Sequence, residues 1–305
     1  MSLIRPVLNT YLRLVEKRRM RRTKEPANLR RHLEQNARLF FRAPRGTTMA
    51  KITLAGGVEV LTVTPKRLHS DIVIFYIHGG GFVFGSPETH AAMLGQLAAR
   101  SGARVVMPRY RLAPEFTFPA AADDVESAYR DLIASGVAAQ NIVIGGDSAG
   151  GGLAFGLLSE ILAKKLPAPR GVFGFSPFVD FKRQGASLVE NAQREAMLPP
   201  ERAEDMLDMY LADADRDDPR LNTLTADFAG APPVWICVGD TEILRDDARA
   251  LFQHLKGCDV PVMFHEEHDL PHVWPIFHNV LPEGRQTLDD LAGWIKELPT
   301  PVSGN

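Results

Sequence analysis

Residues 141–152, Asn-Ile-Val-Ile-Gly-Gly-Asp-Ser-Ala-Gly-Gly-Gly, carry the side chain best placed for nucleophilic chemistry. Gly146 to Gly150 fit G-x-S-x-G around Ser148, and a serine hydroxyl raised on such a turn can attack an acyl carbonyl. Alone, the pattern also describes an ordinary glycine-rich loop. Its setting favours chemistry. A short apolar, β-branched run from Asn141 to Gly145 precedes it, and a helical-looking stretch from Leu153 to Lys165 follows. Strand, tight turn and helix would hold the serine in an unfavourable backbone region, with small neighbours permitting close packing. The helix N-terminus would favour negative charge developing there.

Acyl transfer also needs a base, an acid and donors for the oxyanion. His78-Gly79-Gly80-Gly81 follows the apolar run Asp71 to Ile77, and its turn lacks Cβ atoms that would block a carbonyl. The N–H groups of Gly80, Gly81 and Ala149 are the expected donors. His78 precedes them and reads as a structural loop residue. Nine histidines are available, but in sheets of this kind the order is nucleophile, acid, base, which excludes those before Ser148. His272, in Leu270-Pro271-His272-Val273-Trp274, lies past the last predicted strand on the same rim as Ser148. His265, His268 and His278 suit surface positions. The acid should follow the run 232–239, Pro-Pro-Val-Trp-Ile-Cys-Val-Gly. Asp240 and Glu242 both qualify; Asp246 and Asp247 fall inside the next helix. Position alone leaves Asp240 and Glu242 open.

The elements that must position these groups alternate. Strands are expected at Asp71–Ile77, Arg104–Pro108, Asn141–Gly145, Gly171–Phe175, Pro232–Gly239 and Val260–His265, with a hairpin formed by Lys51–Leu54 and Val58–Val63. Helices are expected near Glu88–Arg100, Pro119–Ala134, Leu153–Lys165, Ile243–Gly257 and Glu283–Leu298. Such alternation implies right-handed crossovers and a mainly parallel sheet covered on both faces. Residues 178–230 break the rhythm, with helical spacing only around Ala203–Leu211. Together with residues 1–45 they are expected to form one cap above the strand C-termini, over a catalytic domain of 46–177 and 231–305.

The 305 residues are 45% hydrophobic and 24% charged, ordinary for a globular protein. The apolar runs are too short for a bilayer span, so stable membrane insertion is not expected. Cys237 and Cys258 form no disulfide framework or metal cluster, which points to a reducing, cytoplasmic compartment. Net charge is −2, yet residues 1–45 hold 13 Lys/Arg against 3 Asp/Glu, a balance of +10 that leaves −12 elsewhere. Leu3, Val7, Leu8, Tyr11, Leu12 and Val15 recur at helical spacing, so this segment reads as a docked amphipathic helix with a solvated basic face; surface association is the rival reading. Pro26 should break it in two.

Together these residues resemble the hormone-sensitive-lipase family of α/β-hydrolases, the bacterial family IV esterases. The resemblance covers about 70–300 and rests on HGGG at 78–81, YRLAPE at 110–115, FPAAADD at 118–124, GDSAGG at 146–151 and PHVW at 271–274. It implies an α/β-hydrolase fold with an eight-stranded, mostly parallel sheet and a helical cap, carboxylic-ester hydrolysis, and no metal or organic cofactor. The family's acid lies in D-P-L-R-D, where this chain has Glu242-Ile243-Leu244-Arg245-Asp246. The alignment favours Glu242; Asp240 would then cap the following helix.

The expected substrate is a small-molecule ester with a short to medium acyl chain, with no nucleic-acid partner. Phe82, Phe84, Met206, Met209, Tyr210 and Trp274 could wall its pocket or pack in the core. Amide or N-acyl hydrolysis would use the same machinery. A non-catalytic receptor on this fold would be expected to lack the base, and His272 is present. The last strand would form a sheet edge through which a homodimer could pair.

Overall fold

The computed structural model describes residues 2–299. Eight strands form one sheet: β1 (Thr48–Thr53), β2 (Glu59–Thr64), β3 (Val73–Ile77), β4 (Arg104–Pro108), β5 (Ile142–Asp147), β6 (Gly171–Phe175), β7 (Val234–Gly239) and β8 (Val262–Glu267). Their order is β1-β2-β4-β3-β5-β6-β7-β8. β2 pairs antiparallel with β1 and β4, and the ladder from β4 to β8 is parallel. β3, β5, β6 and β7 are buried throughout, which their β-branched and aromatic runs suit.

Helices Pro87–Ser101 and Pro282–Glu297 cover one face of the sheet. Ala120–Ala134, Ser148–Ala163 and Arg245–Gly257 cover the other. Register levels the strand ends: Ile77 pairs with Gly146, Asp147 with Phe175, and Phe175 with Cys237. The loops that leave β3, β5, β6, β7 and β8 therefore open on one rim.

Several boundaries differ from expectation, the first strand running Thr48–Thr53 instead of Lys51–Leu54, and two of the differences have identifiable reasons. The helix after β5 starts at Ser148 rather than Leu153, so Ala149 to Gly152 are helical despite three glycines. Tertiary contact overrides propensity there, because a Cβ on Gly152 would stand 2.3 Å from the Phe178 carbonyl oxygen. β8 begins two residues late, since the Val260 N–H closes the preceding helix onto the Leu255 carbonyl.

The N-terminal segment forms Ile4–Tyr11, a π turn at Leu12–Glu16, Lys17–Arg22, and then Pro26–Phe40 with Pro26 in its first turn. Residues 178–230 hold the short helix Ser187–Glu190, the helix Pro200–Leu211 and a 3₁₀ turn, Pro219–Leu221. Asp247 anchors this excursion by accepting the N–H groups of Val179 and Asp180, each at 2.9 Å. Burial pushes its carboxyl up to about 7, against those two donors.

The folded pKa of Asp247 thus lies above its unfolded one. Its contribution to stability is full below about pH 4 and is lost as pH rises through about 7. Asp247→Asn keeps an oxygen for both donors, so it is expected to flatten the fall in urea midpoint that wild type shows over that window. A fall as steep as wild type's would contradict the assignment.

Candidate active site

Ser148 stands between β5 and its helix at φ 51°, a left-handed conformation that costs a non-glycine residue about 1–3 kcal/mol. Close packing holds it there. A Cβ on Gly146 would lie 2.3 Å from the Gly150 carbonyl oxygen, and one on Gly150 would lie 2.2 Å from that of Ile77. Only hydrogens fit at these crossings.

The loop after β3 turns through Gly80 at φ 118° and Gly81 at φ 58°. The Gly80 carbonyl is folded back, accepting the N–H groups of Val83 and Phe84 at 3.0 and 2.9 Å. Among the described residues the N–H groups of Gly80 and Gly81 find no acceptor. Asp147, beside the serine, orders the loop: its Oδ1 accepts the Gly79 N–H at 2.9 Å and the Tyr76 hydroxyl at 2.8 Å. His90 approaches its Oδ2 at 3.3 Å. His78 stacks on Tyr110 at 4.3 Å, and burial, with the neighbouring His90, pushes its imidazole down to about 3. It is a neutral packing residue in the loop.

After β7, Glu242 is buried, and its Oε1 accepts the Gly239 N–H at 2.6 Å and the Ser176 hydroxyl at 2.8 Å. Its Oε2 lies 2.6 Å from His272 Nδ1. His272 lies in the loop after β8, which Ser176 also ties by accepting the Val273 N–H at 3.2 Å. Burial disfavours the His272 imidazolium, but the hydrogen bond and charge of Glu242, with Glu195 and Asp147, hold its pKa above the ordinary value. Asp240 does something else. It accepts the Asp269 N–H at 2.8 Å and pairs with His268 at 2.8 Å, so it clamps the base of the β8 loop instead of capping a helix.

Ser148, His272 and the glycine loop line one cavity of about 380 Å³. A serine hydroxyl and an imidazole on one cavity with a glycine loop whose N–H groups lack acceptors are the groups acyl transfer requires.

A model of the alpha/beta hydrolase fold matches residues 74–276. An acetyl-hydrolase of Streptomyces hygroscopicus is 37% identical over 251 residues, 82% of this chain and 84% of that protein. An esterase of Acinetobacter venetianus is 33% identical over 90% of this chain and 89% of its own. The crystal structure of an esterase from the bacterial hormone-sensitive lipase family superposes with a TM-score of 0.91 at 32% identity, covering 98% of this chain and 99% of that one. The chain belongs to this family. It is a carboxylesterase of the α/β-hydrolase fold.

The esterase's cavity takes residues from both segments outside the sheet domain: Leu8, Leu12, Met20 and Leu29 from the N-terminal helices, Met197 and Met206 from 178–230. Phe82 and Phe84 line it as well. Met209, Tyr210 and Trp274 do not. Tyr210 stacks flat on Phe82 at 3.9 Å behind the wall, Met209 packs against the main core, and the Trp274 indole N–H is bound to the Thr287 hydroxyl at 2.8 Å. Helical spacing could not separate Met206 from Met209, because the sheet loops decide which side of that helix meets the cavity. Of the histidines expected at the surface, His268 is exposed, His265 half-buried against Trp235, and His278 buried near the Arg42 carbonyl.

The esterase's N-terminal helix also reaches the cavity in a way its sequence did not announce. Leu8, Leu12, Glu16 and Met20 recur every four residues, a spacing that drifts about 40° per step on an α-helix. The wider π turn at Leu12–Glu16 removes part of that drift, and all four line the cavity. Glu16, Arg19 and Asn36 converge on His32 in the same wall, Arg19 at 2.6 Å.

Asp147→Ala would leave the Tyr76 hydroxyl and the Gly79 N–H buried without their acceptor. It is expected to lower unfolding free energy by about 3 kcal/mol and turnover more than tenfold, as urea titration and steady-state kinetics would record. Wild-type turnover in a folded Asp147→Ala variant would refute the loop-ordering role.

Proposed function

We propose that the esterase works through Ser148, His272 and Glu242. Ser148 Oγ attacks the ester carbonyl while His272 Nε2, the ring nitrogen not engaged by Glu242, takes its proton. Glu242 fixes the tautomer and stabilises the imidazolium. The N–H groups of Gly80, Gly81 and Ala149 receive the oxyanion, His272 protonates the leaving alcohol, and water activated by the same ring releases the acid. The observation that carries this reading is the 2.6 Å contact from His272 to Glu242, with Asp240 engaged elsewhere.

Residues 1–45 and 178–230 act in this reading as one cap that shapes the substrate pocket. The preferred esters have short to medium acyl chains. The bounded, largely apolar cavity supports this, as do relatives named for acetate hydrolysis, among them an ethyl acetate hydrolase of Pseudomonas putida 34% identical over 196 residues.

Ser148→Ala and Glu242→Ala are each expected to lower kcat by roughly 10³-fold or more with the fold intact, and an organophosphate should label Ser148 in wild type alone. Full turnover in Ser148→Ala would end the proposal. A panel of p-nitrophenyl esters should peak at short or medium chains.

The base must be neutral, so activity falls as pH drops through the His272 pKa. Because that pKa is raised, the acid limb of kcat/KM should lie above pH 6.5. A limb below that value would contradict the account of the ring's surroundings.

A further inference from the structure

Behind Glu242 lies a second carboxylate that the chemistry above does not use. Glu195, in the excursion 178–230, is 1% exposed. Its Oε2 accepts the N–H of Ile243, the residue after Glu242, at 3.1 Å. Its Oε1 accepts the N–H of Met197 at 2.8 Å, and Met197 and Leu198 line the cavity. One side chain thus joins the backbone of the acid to the wall of the pocket. Asn191 adds to the tie by donating to the Glu242 carbonyl at 2.7 Å and the Asp240 carbonyl at 3.0 Å.

The tie extends to the N-terminal helices. Lys17 is buried, and its Nζ donates to the carbonyls of Ala192 and Glu195 at 2.8 and 2.7 Å. Burial lowers its pKa, and the charge of Glu195 acts against that. A row of ionisable groups therefore runs inward from the N-terminal helices: Lys17, Glu195, Glu242, His272.

We propose that Glu195 is a positioning residue for Glu242, holding the acid's loop in register with the pocket wall and placing a second negative charge behind His272. This rests on the reading of Glu242 as the orienting acid. Nothing in the G-x-S-x-G, HGGG or His272 motifs pointed to it, because its contact with Ile243, next to the acid, is made across 48 residues of chain.

The groups that set the charge around His272 come from several elements. Glu242 leaves β7, Glu195 comes from the excursion, and Asp147 ends β5. Burial and then the charge of Glu242 push the Glu195 carboxyl up, with His272 and the N–H groups of Met197 and Ile243 acting against them, and Lys17 also feels Glu201, Arg13 and Arg21. The Cys237 thiol beside Glu242 is pushed up by burial and then by that carboxylate, so it stays neutral. Asp240 is occupied with His268. Glu195 is thus the group whose charge can be removed without touching the nucleophile, the base or its partner.

The test is the pH profile of kcat/KM in full-length Glu195→Gln and Glu195→Asp, with melting temperatures measured alongside. Glutamine keeps an acceptor and loses the charge, so the acid limb should move down by about half a pH unit. Aspartate keeps the charge on a shorter arm, so the limb should stay near wild type while kcat falls roughly tenfold through the displaced loop. An unmoved limb in a folded Glu195→Gln overturns the proposal. If Glu195→Gln fails to fold, wild-type kcat in Glu195→Asp overturns it instead. Glu242→Ala in the same assay separates the two readings: full turnover there removes the triad assignment, whereas a dead Glu242→Ala beside an unmoved Glu195→Gln removes only this one.

Discussion

The site depends on a backbone crossing with no room for a side chain. The first turn of the helix after β5 lies against the end of β3, where a Cβ on Gly150 would meet the carbonyl oxygens of Ile77 and His78 at 2.2 and 2.4 Å. That contact joins the two loops that must cooperate: the turn carrying Ser148 and the glycine loop that begins at His78. It also holds the left-handed backbone at Ser148, whose cost is offset by the burial of both flanking elements. Asp147 completes the joint by accepting the Gly79 N–H from the opposite loop. Ser148 and the N–H groups of the glycine loop are therefore placed by main-chain geometry, and in the proposed mechanism such fixed dipoles do not have to reorganise when charge develops.

Charge is arranged on a longer scale. The first 45 residues carry the balance of +10, and several of their cations reach the rest of the chain. Arg5 donates to the His268 carbonyl, Arg13 to that of Arg194, and Arg30 to those of Val83 and Ala113 while pairing with Glu115. These partners lie in the loop before His272, in the excursion, and in the segments following the glycine loop. These three cations sit against carbonyls or a carboxylate of a remainder that is net negative, and Leu12 is buried, whereas Leu3, Val7 and Tyr11, expected on the docked face, are exposed. Exposed pairs of this kind contribute little individually. Their effect here is orientation, since they join the helices that wall the cavity to the loops that carry the chemistry.

The strand and helix sequence was legible because period and punctuation are local properties. The runs at 104–108 and 171–175 match β4 and β6 residue for residue, since β-branched and aromatic residues bounded by loop formers leave little choice. Gly79 to Gly81 and Ser148 were legible for a related reason: they answer to the backbone at their own positions. The start of the helix at Ser148 was not, because glycine's local preference opposes it and only Ile77, Pro177 and Phe178 across the crossing explain it.

By itself the sequence determined the alternation that builds the parallel sheet, the turn that carries Ser148, the glycine loop after β3, and the family. Each is written in contiguous residues whose conformational preferences act within a few positions. The family motif already favoured Glu242 over Asp240, and the structure adds the contact of Glu242 with His272; tertiary structure alone decided that Asp240 meets His268, that Met206 faces the cavity while Met209 and Tyr210 lie behind it, and that Glu195 stands behind Glu242. The reason is physical: side chains two or three positions apart are indistinguishable by type and spacing. Which of them reaches a given partner depends on the direction in which the sheet's register and the packed loops point it.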